Sequence, residues 1–466
     1  MNHFEIIQTL SRRRKLSVYV VGGFVRDWFL NRSGYDVDFT VSQDALGLAR
    51  AFSRAIKGTF VLLDEEHPCG RVVKRKGRHL WTFDFSNLRA ATIERDLRLR
   101  DFTINTLCIN LGDIDENRWD KNIIKPQGGL KDLKNKTVRM VATRAFVDDP
   151  LRLMRAFSLL AQLGFKIEAK TFKQIQKDVK LIHNVSMERI REEWFKALSS
   201  SRTFETIVMM YKAGLLQEVI PQLTVMEGVY QGGYHHLDVW RHSLEVVRQF
   251  EELMEGTGEP FIKEYLQQEI AGGHQRYALL KFACLLHDIG KPDARQQGVG
   301  RMTFYGHEHV GAGITRLIAK QMKLSVKERH FLEDMVIWHL RPGYLSNFKK
   351  LSPRMVFRFL RDTKEEAVSV LLLSLADERA TRGPLTTKAM HDHHRKICWD
   401  VIHRFIDAKN QKPLVRLITG HDLIRRLKLK PSPLFAKILT SVQEAQSLGK
   451  ISTKVEAMAI AKKIAK

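Results

Sequence analysis

The segment VGGFVRDWFLNRSGYDVDF, residues 21–39, constrains this chain more than any other stretch. Two adjacent glycines, Gly22 and Gly23, follow a run of valines and precede a helical run containing Arg26 and Asp27. A second β-branched run at 36–41 then carries Asp36 and Asp38. Paired glycines let the backbone approach a phosphate closely, and the next helix N-terminus adds favourable N–H dipoles. Residues two apart on a strand share a face, so both carboxylates point the same way. Two convergent carboxylates repel each other unless a divalent cation lies between them, and Mg²⁺ takes a few carboxylates plus substrate phosphates. The pattern predicts phosphoryl transfer in which one ion activates a hydroxyl and another holds a triphosphate. Asp84, on a later predicted strand, is the candidate third carboxylate.

Around that segment, residues 17–24, 36–41, 59–63, 80–85 and 104–111 read as short strands, with a helix over 43–56. From residue 144 the helical period dominates with almost no strand signal. Breaks fall at Gly232–Gly233 and over 254–275. The expected division is a head at 1–140, a helical neck at 141–225, a third domain at 226–385 and a helical tail at 386–466, an α+β arrangement overall. No apolar run approaches the roughly 20 residues that span a bilayer. The longest, Val368–Ala376, fits a buried helix. The first residues lack the charged-then-apolar order of a signal peptide. Cys69, Cys108, Cys284 and Cys398 are scattered without a C-x-x-C pair, as expected of a reduced, cytoplasmic protein. Lys and Arg number 77 against 52 Asp and Glu, a net charge of +25. That excess favours nucleic acid as partner over a membrane surface, and its spread along the chain suits a folded RNA better than a basic arm would.

The head resembles the nucleotidyltransferases that share the DNA polymerase β palm. More narrowly, it resembles the bacterial-type tRNA CCA-adding enzymes and poly(A) polymerases. DLRLRDFTINTL, Asp96–Leu107, is similar to that family's D-L-x-R-R-D-F-T-I-N-A motif, with Leu99 where the first arginine stands. The resemblance implies nucleotide-binding roles for Gly22, Gly23, Arg26, Arg100, Asp101 and Asn105, with Thr103 in the same motif. VDDPLRLMRAF is similar to the family's E-D-x-x-R helix, with Asp148 in place of the Glu. It implies base recognition by Asp149 and Arg152, with Arg155 beside them. Their i, i+3 spacing predicts one helix face. A carboxylate accepts from an exocyclic amino group and an arginine donates to the adjacent ring nitrogen, which selects C and A over U and G. SMERIREEWFKAL, Ser186–Leu198, resembles the neck of these enzymes.

HHLDVWRHSLEVV, LLHDIGKP, FYGHEHVGA, WHLRP and SLADERA follow in order. They resemble the HD metal-dependent phosphohydrolases, whose ligand order is H…HD…D. The resemblance implies His242, His287, Asp288 and Asp377 as ligands of a divalent metal, with His307 and His339 completing a second position. Imidazole and carboxylate together suit a transition metal or Mg²⁺. The stretch Leu417–Ala457 resembles the closing helices of CCA-family enzymes, where Lys428, Lys430 and Lys437 are candidate phosphate contacts.

These resemblances imply a tRNA 3′-terminal nucleotidyltransferase using Mg²⁺ with CTP and ATP, a polymerase-β-like head leading an all-helical neck, HD domain and tail. The oligomeric state is left open. Asp84 and Asp96 are 12 positions apart. CCA-adding relatives carry a longer, flexible connection here, so the short one points to CC addition, with full CCA addition as the alternative. A-adding enzymes and poly(A) polymerases are further alternatives; the latter carry a basic C-terminal extension. Two rivals remain: a phosphohydrolase with an inactive head, and a non-catalytic RNA-binding protein. The intact Asp36/Asp38 pair argues against the first, and the number of intact ligand residues argues more strongly against the second.

Overall fold

A computed structural model describes residues 3–64, 68–77, 79–113, 123–124, 128–298, 301–410 and 415–465. The chain forms two compact units, Met1–Val219 and Ile220–Lys466. The first is built on a seven-stranded sheet: β1 (Val18–Val21), β2 (Asp36–Val41), β3 (Thr59–Asp64), β4 (Cys69–Lys76), β5 (His79–Asn87), β6 (Cys108–Asn110) and β7 (Ile123–Ile124). Their order is β3-β4-β5-β2-β1-β6-β7, with β2 and β5 parallel and the other neighbours antiparallel.

Period-2 alternation divides this sheet into two chemistries. Val37, Phe39 and Val41 on β2 and Phe83 and Phe85 on β5 are buried. Phe39 stacks on Phe85 at 4.8 Å, and Phe52 of helix Ala45–Ile56 meets Phe83 at 5.1 Å. Removing one such ring costs about 3–5 kcal/mol. The alternate residues Asp36, Asp38 and Asp84 are thereby directed to the opposite face.

Three expectations shift. Strand β4 reads poorly in sequence because half of CGRVVKRK is charged, yet Gly70 and Val72 are buried between flanking strands. The predicted strand at 17–24 ends at Val21, since Gly22 turns the chain and helix Gly23–Phe29 begins at once. The one at 104–111 contracts to Cys108–Asn110, because Thr103–Asn105 form a buried 3₁₀ turn. The rest of the first unit is helical, with Arg152–Leu163 packed on Met187–Leu198.

In the second unit, helices Val239–Glu255, Arg276–Leu286 and Ala367–Ala380 pack together, and His307–Gln321 lies against Val326–Trp338. Residues 368–376 are buried throughout, as their unbroken apolar run predicts. The 254–275 stretch contains helix Pro260–Gln267 and the hairpin Glu269–Ala271/His274–Gln275, more structure than its breaks suggest. The closing helices surround their own core of Ile418, Leu423, Ile438, Val442 and Ala457.

Candidate functional sites

In the head, Asp38 pairs in register with Asp84 across β2 and β5, and Asp84 pairs with Arg71 across β5 and β4. Asp36 and Asp38 are both exposed while Val37 between them is buried, the shared face their spacing predicts. Asp84 lies beside them but is engaged: Arg71 donates to its two oxygens at 2.8 and 2.7 Å. Arg71 escaped the sequence reading because it sits on the strand that reading missed. Asp38 is open to water yet closely surrounded by other side chains. Desolvation there, then the Asp84 charge, raise its pKa above the ordinary carboxylate value, against Arg100 and Arg155. A divalent cation between Asp36 and Asp38 would relieve that repulsion, so the donor set fits Mg²⁺.

Gly22 has φ +74°, and a Cβ there would lie 3.3 Å from Nη1 of Arg100 and 3.4 Å from Oδ2 of Asp38. Its lack of a side chain therefore keeps the carboxylate accessible. Arg100 donates to Oγ1 of Thr40 at 3.1 Å and stands between the glycine turn and Asp96. Arg26 is placed differently. Its guanidinium donates to both oxygens of Asp27, at 2.8 and 2.9 Å, and to Oδ1 of Asn105 at 2.8 Å. Nδ2 of Asn105 donates to Asp101 at 3.1 Å, and Arg155 forms an ion pair with the same carboxylate, Nε 3.1 Å from Oδ2. Although burial alone would raise it, the Asp101 pKa is lowered by Arg155, by the Phe102 amide and by Asn105. Arg26, Asn105, Asp101 and Arg155 thus form one chain of charge-assisted bonds linking the glycine turn to helix Arg152–Leu163. Thr103 caps another buried contact, donating to Asp132 at 2.7 Å.

The expected shared helix face of Asp149 and Arg152 is corrected. Asp149 precedes helix Arg152–Leu163 in an extended conformation, φ −148° and ψ 101°, because Pro150 follows it and disfavours a helical residue there. Its carboxylate accepts from the Leu151 amide at 3.3 Å and pairs with Arg189 at 3.4 Å. Arg152 is buried and donates to the carbonyls of Leu99 at 2.9 Å, Ala145 at 3.2 Å and Arg100 at 3.3 Å. Asp148 pairs with Arg144 at 3.6 Å.

In the second unit six side chains converge. His242 comes from helix Val239–Glu255, His307 opens helix His307–Gln321, and Asp377 lies in Ala367–Ala380. His287 and Asp288 lie in the turn just after Arg276–Leu286, and His339 ends Val326–Trp338 in the same way. Gly290 makes the turn possible: a Cβ there would lie 2.1 Å from the His307 carbonyl. Donor atoms of His242, His287 and Asp377 lie within 4.8 Å of one another, and so do those of Asp288, His307 and His339. Asp288 spans the two sets. Its Oδ2 is 3.2 Å from His287 Nε2, and its Oδ1 is 3.3 Å from His307 Nε2 and 3.6 Å from His339 Nε2.

Nδ1 of His287, His307 and His339 each faces a backbone carbonyl, at 2.9, 2.8 and 2.6 Å. A carbonyl only accepts, so Nδ1 carries the proton and each Nε2 is turned inward as a lone-pair donor. Nε2 of His287 is buried without a hydrogen-bond partner, as an imidazole awaiting a metal would be. Burial lowers the pKa of His242, and takes that of His339 down to about 3. Burial would lower His287 too, but the adjacent Asp288 carboxylate outweighs it and raises it. Asp288 is in turn held well below the carboxylate range, despite burial, by His287 and Lys291. Lys291, which the motif resemblance does not mark as a ligand, places Nζ 2.6 Å from Asp288 Oδ2. His235 was also missed; its ring stands 4.6 Å from that of His242.

Three family models match the chain: the poly A polymerase head domain over residues 18–139, the probable RNA and SrmB-binding site of polymerase A over 164–226, and the HD domain over 239–382. An A-adding tRNA nucleotidyltransferase of Deinococcus radiodurans is 31% identical over 449 residues, 94% of this chain and 94% of that protein. A CC-adding tRNA nucleotidyltransferase of Geobacter sulfurreducens is 28% identical over 453 residues, 97% of this chain and 93% of that protein. The solved Thermotoga maritima CCA-adding enzyme complexed with tRNA shares the fold at TM-score 0.63 and 20% identity, covering 99% of this chain and 93% of that one. Among the described residues, no helix is long and apolar enough to cross a membrane.

Proposed function

The chain belongs to the bacterial-type tRNA nucleotidyltransferases, and on that premise we propose that it adds two C residues from CTP to the tRNA 3′ end, releasing pyrophosphate. One observation carries the reading: Asp36 and Asp38 share a face beside Gly22, with Arg100 at the same turn. Asp36 and Asp38 would hold Mg²⁺, which supplies the charge that activates the 3′-hydroxyl and steadies the triphosphate. Gly22 leaves room for the phosphates, Arg100 offsets their charge, and the Arg26–Asn105–Asp101–Arg155 chain keeps the turn in place. Asp84 is the third carboxylate, and it must exchange its bond to Arg71 to reach a metal. Asp149 and Arg152 select the base. Attack in line on the α-phosphate needs positioning more than covalent help from the protein.

The short connection Leu88–Thr92, between β5 and helix Ile93–Leu97, supports CC addition. A second reading, addition of the terminal A, is favoured by the 31% identical relative, which adds A. Transcripts ending before C74, at CC and at CCA, each given one labelled nucleotide, separate them. The CC reading expects CMP incorporation twice on the first transcript and no AMP on the second. Efficient AMP incorporation on the CC transcript overturns it, in favour of the second reading if the first transcript takes no CMP and of full CCA addition if it takes two.

The second unit carries an additional activity in this proposal. Its six donors bind one or two divalent ions and hydrolyse phosphoesters, independently of the head. A metal there supplies the charge that draws in a phosphate and turns water into a nucleophile. Lys291 and the carbonyl-anchored imidazoles hold Asp288 ionised and in place.

A further inference from the structure

We propose that the cleft leading to the HD donor cluster recognises nucleobases, so that its substrate is a phosphoester carried by stacked bases, a nucleotide or a single-stranded oligonucleotide end. The proposal rests on the HD reading for its metal but not for its base contacts.

The cleft encloses about 1050 Å³. That lies at the top of the roughly 300–1,000 Å³ range of small-molecule sites, which leaves room for more than one nucleotide. Its inner wall includes His307 of the donor cluster, Lys291 beside Asp288, and His235 against His242. Its rim is aromatic. The chain has nine tyrosines. Four are exposed, Tyr230, Tyr234, Tyr305 and Tyr344, and all four line this one cleft. Tyr19, Tyr35, Tyr211, Tyr265 and Tyr277 are buried or half-buried.

The four come from three segments: Tyr230 and Tyr234 from the loop after Pro221–Met226, Tyr305 from the turn before helix His307–Gln321, and Tyr344 from helix Arg341–Ser346. Packing does not demand that they meet, since their rings are more than half exposed, from 53% to 72%. What they share is a position around one opening. A phenol ring offers a flat face to any base, and stacking of this kind tolerates sequence. The floor has a different chemistry. Behind it stand Asp288 and Asp377, two carboxylates against the one Lys291 ammonium of the cleft wall, so without a cation this end holds phosphate weakly while the rim still accepts bases. The two parts of the ligand therefore have separable requirements: the phosphoester needs metal, the base needs tyrosine.

Calorimetric titration of the full chain with ribose 5-phosphate, AMP and the dinucleotide ApA, each with Mn²⁺ and with chelator, tests this. Tyr305→Leu and Tyr344→Leu, on different segments, guard against a local folding defect. The difference between wild type and variant isolates this cleft from the nucleotide site of the head. Each variant should weaken AMP and ApA by roughly 5- to 150-fold, the worth of one stacked base, and leave ribose 5-phosphate and Mn²⁺ stoichiometry unchanged. ApA much tighter than AMP assigns the cleft to oligonucleotide ends; equal binding assigns it to free nucleotides. If neither variant changes AMP or ApA binding, or if both weaken ribose 5-phosphate equally, the base-recognition proposal fails. Absence of Mn²⁺ binding in wild type overturns the metal reading instead, and the chelator series still decides the tyrosines.

Discussion

Replacing Arg152 by Ala tests base selection and the brace around it together. The guanidinium has five N–H donors. Three are used: two on Nη1 toward the Arg100 and Ala145 carbonyls, and one on Nη2 toward Leu99. One N–H on Nη2 and the Nε–H remain, enough to reach a ring nitrogen without releasing the brace. Arg152 is buried, and desolvation lowers its pKa against the pull of Asp101 and Asp149. Arg152→Ala removes a buried cation from three carbonyls. Each hydrogen bond to a charged group contributes about 1.5–3 kcal/mol, and breaking a buried charge contact costs roughly 3–5 kcal/mol in all, because the three are not independent. Against a total stability of about 5–15 kcal/mol, that loss is visible in urea unfolding. Losing the base contact costs a further 10- to 150-fold in discrimination, by the same 1.5–3 kcal/mol. The expected result is a less stable enzyme that still transfers nucleotides but incorporates UMP beside CMP. Arg152→Lys should recover part of the stability and little of the selectivity, since an ammonium cannot hold three divergent carbonyls and a base edge. An Arg152→Ala enzyme that is destabilised as expected but keeps its CTP over UTP ratio would refute the selection role and leave Arg152 as a brace alone.

Asp38→Asn should abolish nucleotide transfer while leaving tRNA binding intact in a filter assay. Because the folded-state pKa of Asp38 is raised, its ionised form opposes folding at neutral pH, and that penalty is relieved as pH falls through the folded pKa. In chelator, Asp38→Asn should therefore melt higher than wild type at pH 7, the difference shrinking on acidification; a lower melting point reverses the sign of the argument. His287→Ala should remove the stabilisation that Mn²⁺ gives the wild type, about 2.7 kcal/mol at a hundredfold excess over Kd, without slowing CTP incorporation. A parallel loss of incorporation in a variant with normal circular dichroism would mean that the two centres are coupled. With a net charge of +25, tRNA affinity should fall steeply with salt, log K dropping by about 0.7–0.9 per log unit for each phosphate neutralised. Lys430→Ala should weaken all tRNAs alike, and a flat salt profile would assign binding to shape and apolar contacts.

What was legible in the sequence shares one property: the chemistry and the geometry lie in the same short segment. Asp36 and Asp38 could be placed on one face because strand alternation fixes that face locally, and their Val37 neighbour is buried as the pattern requires. The HD donors were legible for a related reason. Three of the six are anchored by a backbone carbonyl three positions earlier, His287 by Cys284, His307 by Phe304 and His339 by Val336.

What escaped depends on contacts between distant segments. Strand β4 pairs charged residues between β3 and β5, so its alternation shows only once its neighbours are known, and Arg71 went unseen with it. That omission changes the chemistry of the cleft. Asp84 was read as a carboxylate waiting for metal, yet it meets Arg71 bidentately and Asp38 in register at the same time. Arg71 neutralises it while Asp38 repels it, so a metal that recruits Asp84 must first displace a guanidinium. The failure at Asp149 has the same origin. An i, i+3 spacing guarantees a shared face only if both residues are helical, and Pro150 forbids that for the residue before it. Asp149 therefore lies on an extended connection and Arg152 in the first turn of a helix, and the cation that Asp149 meets, Arg189, comes from a third element.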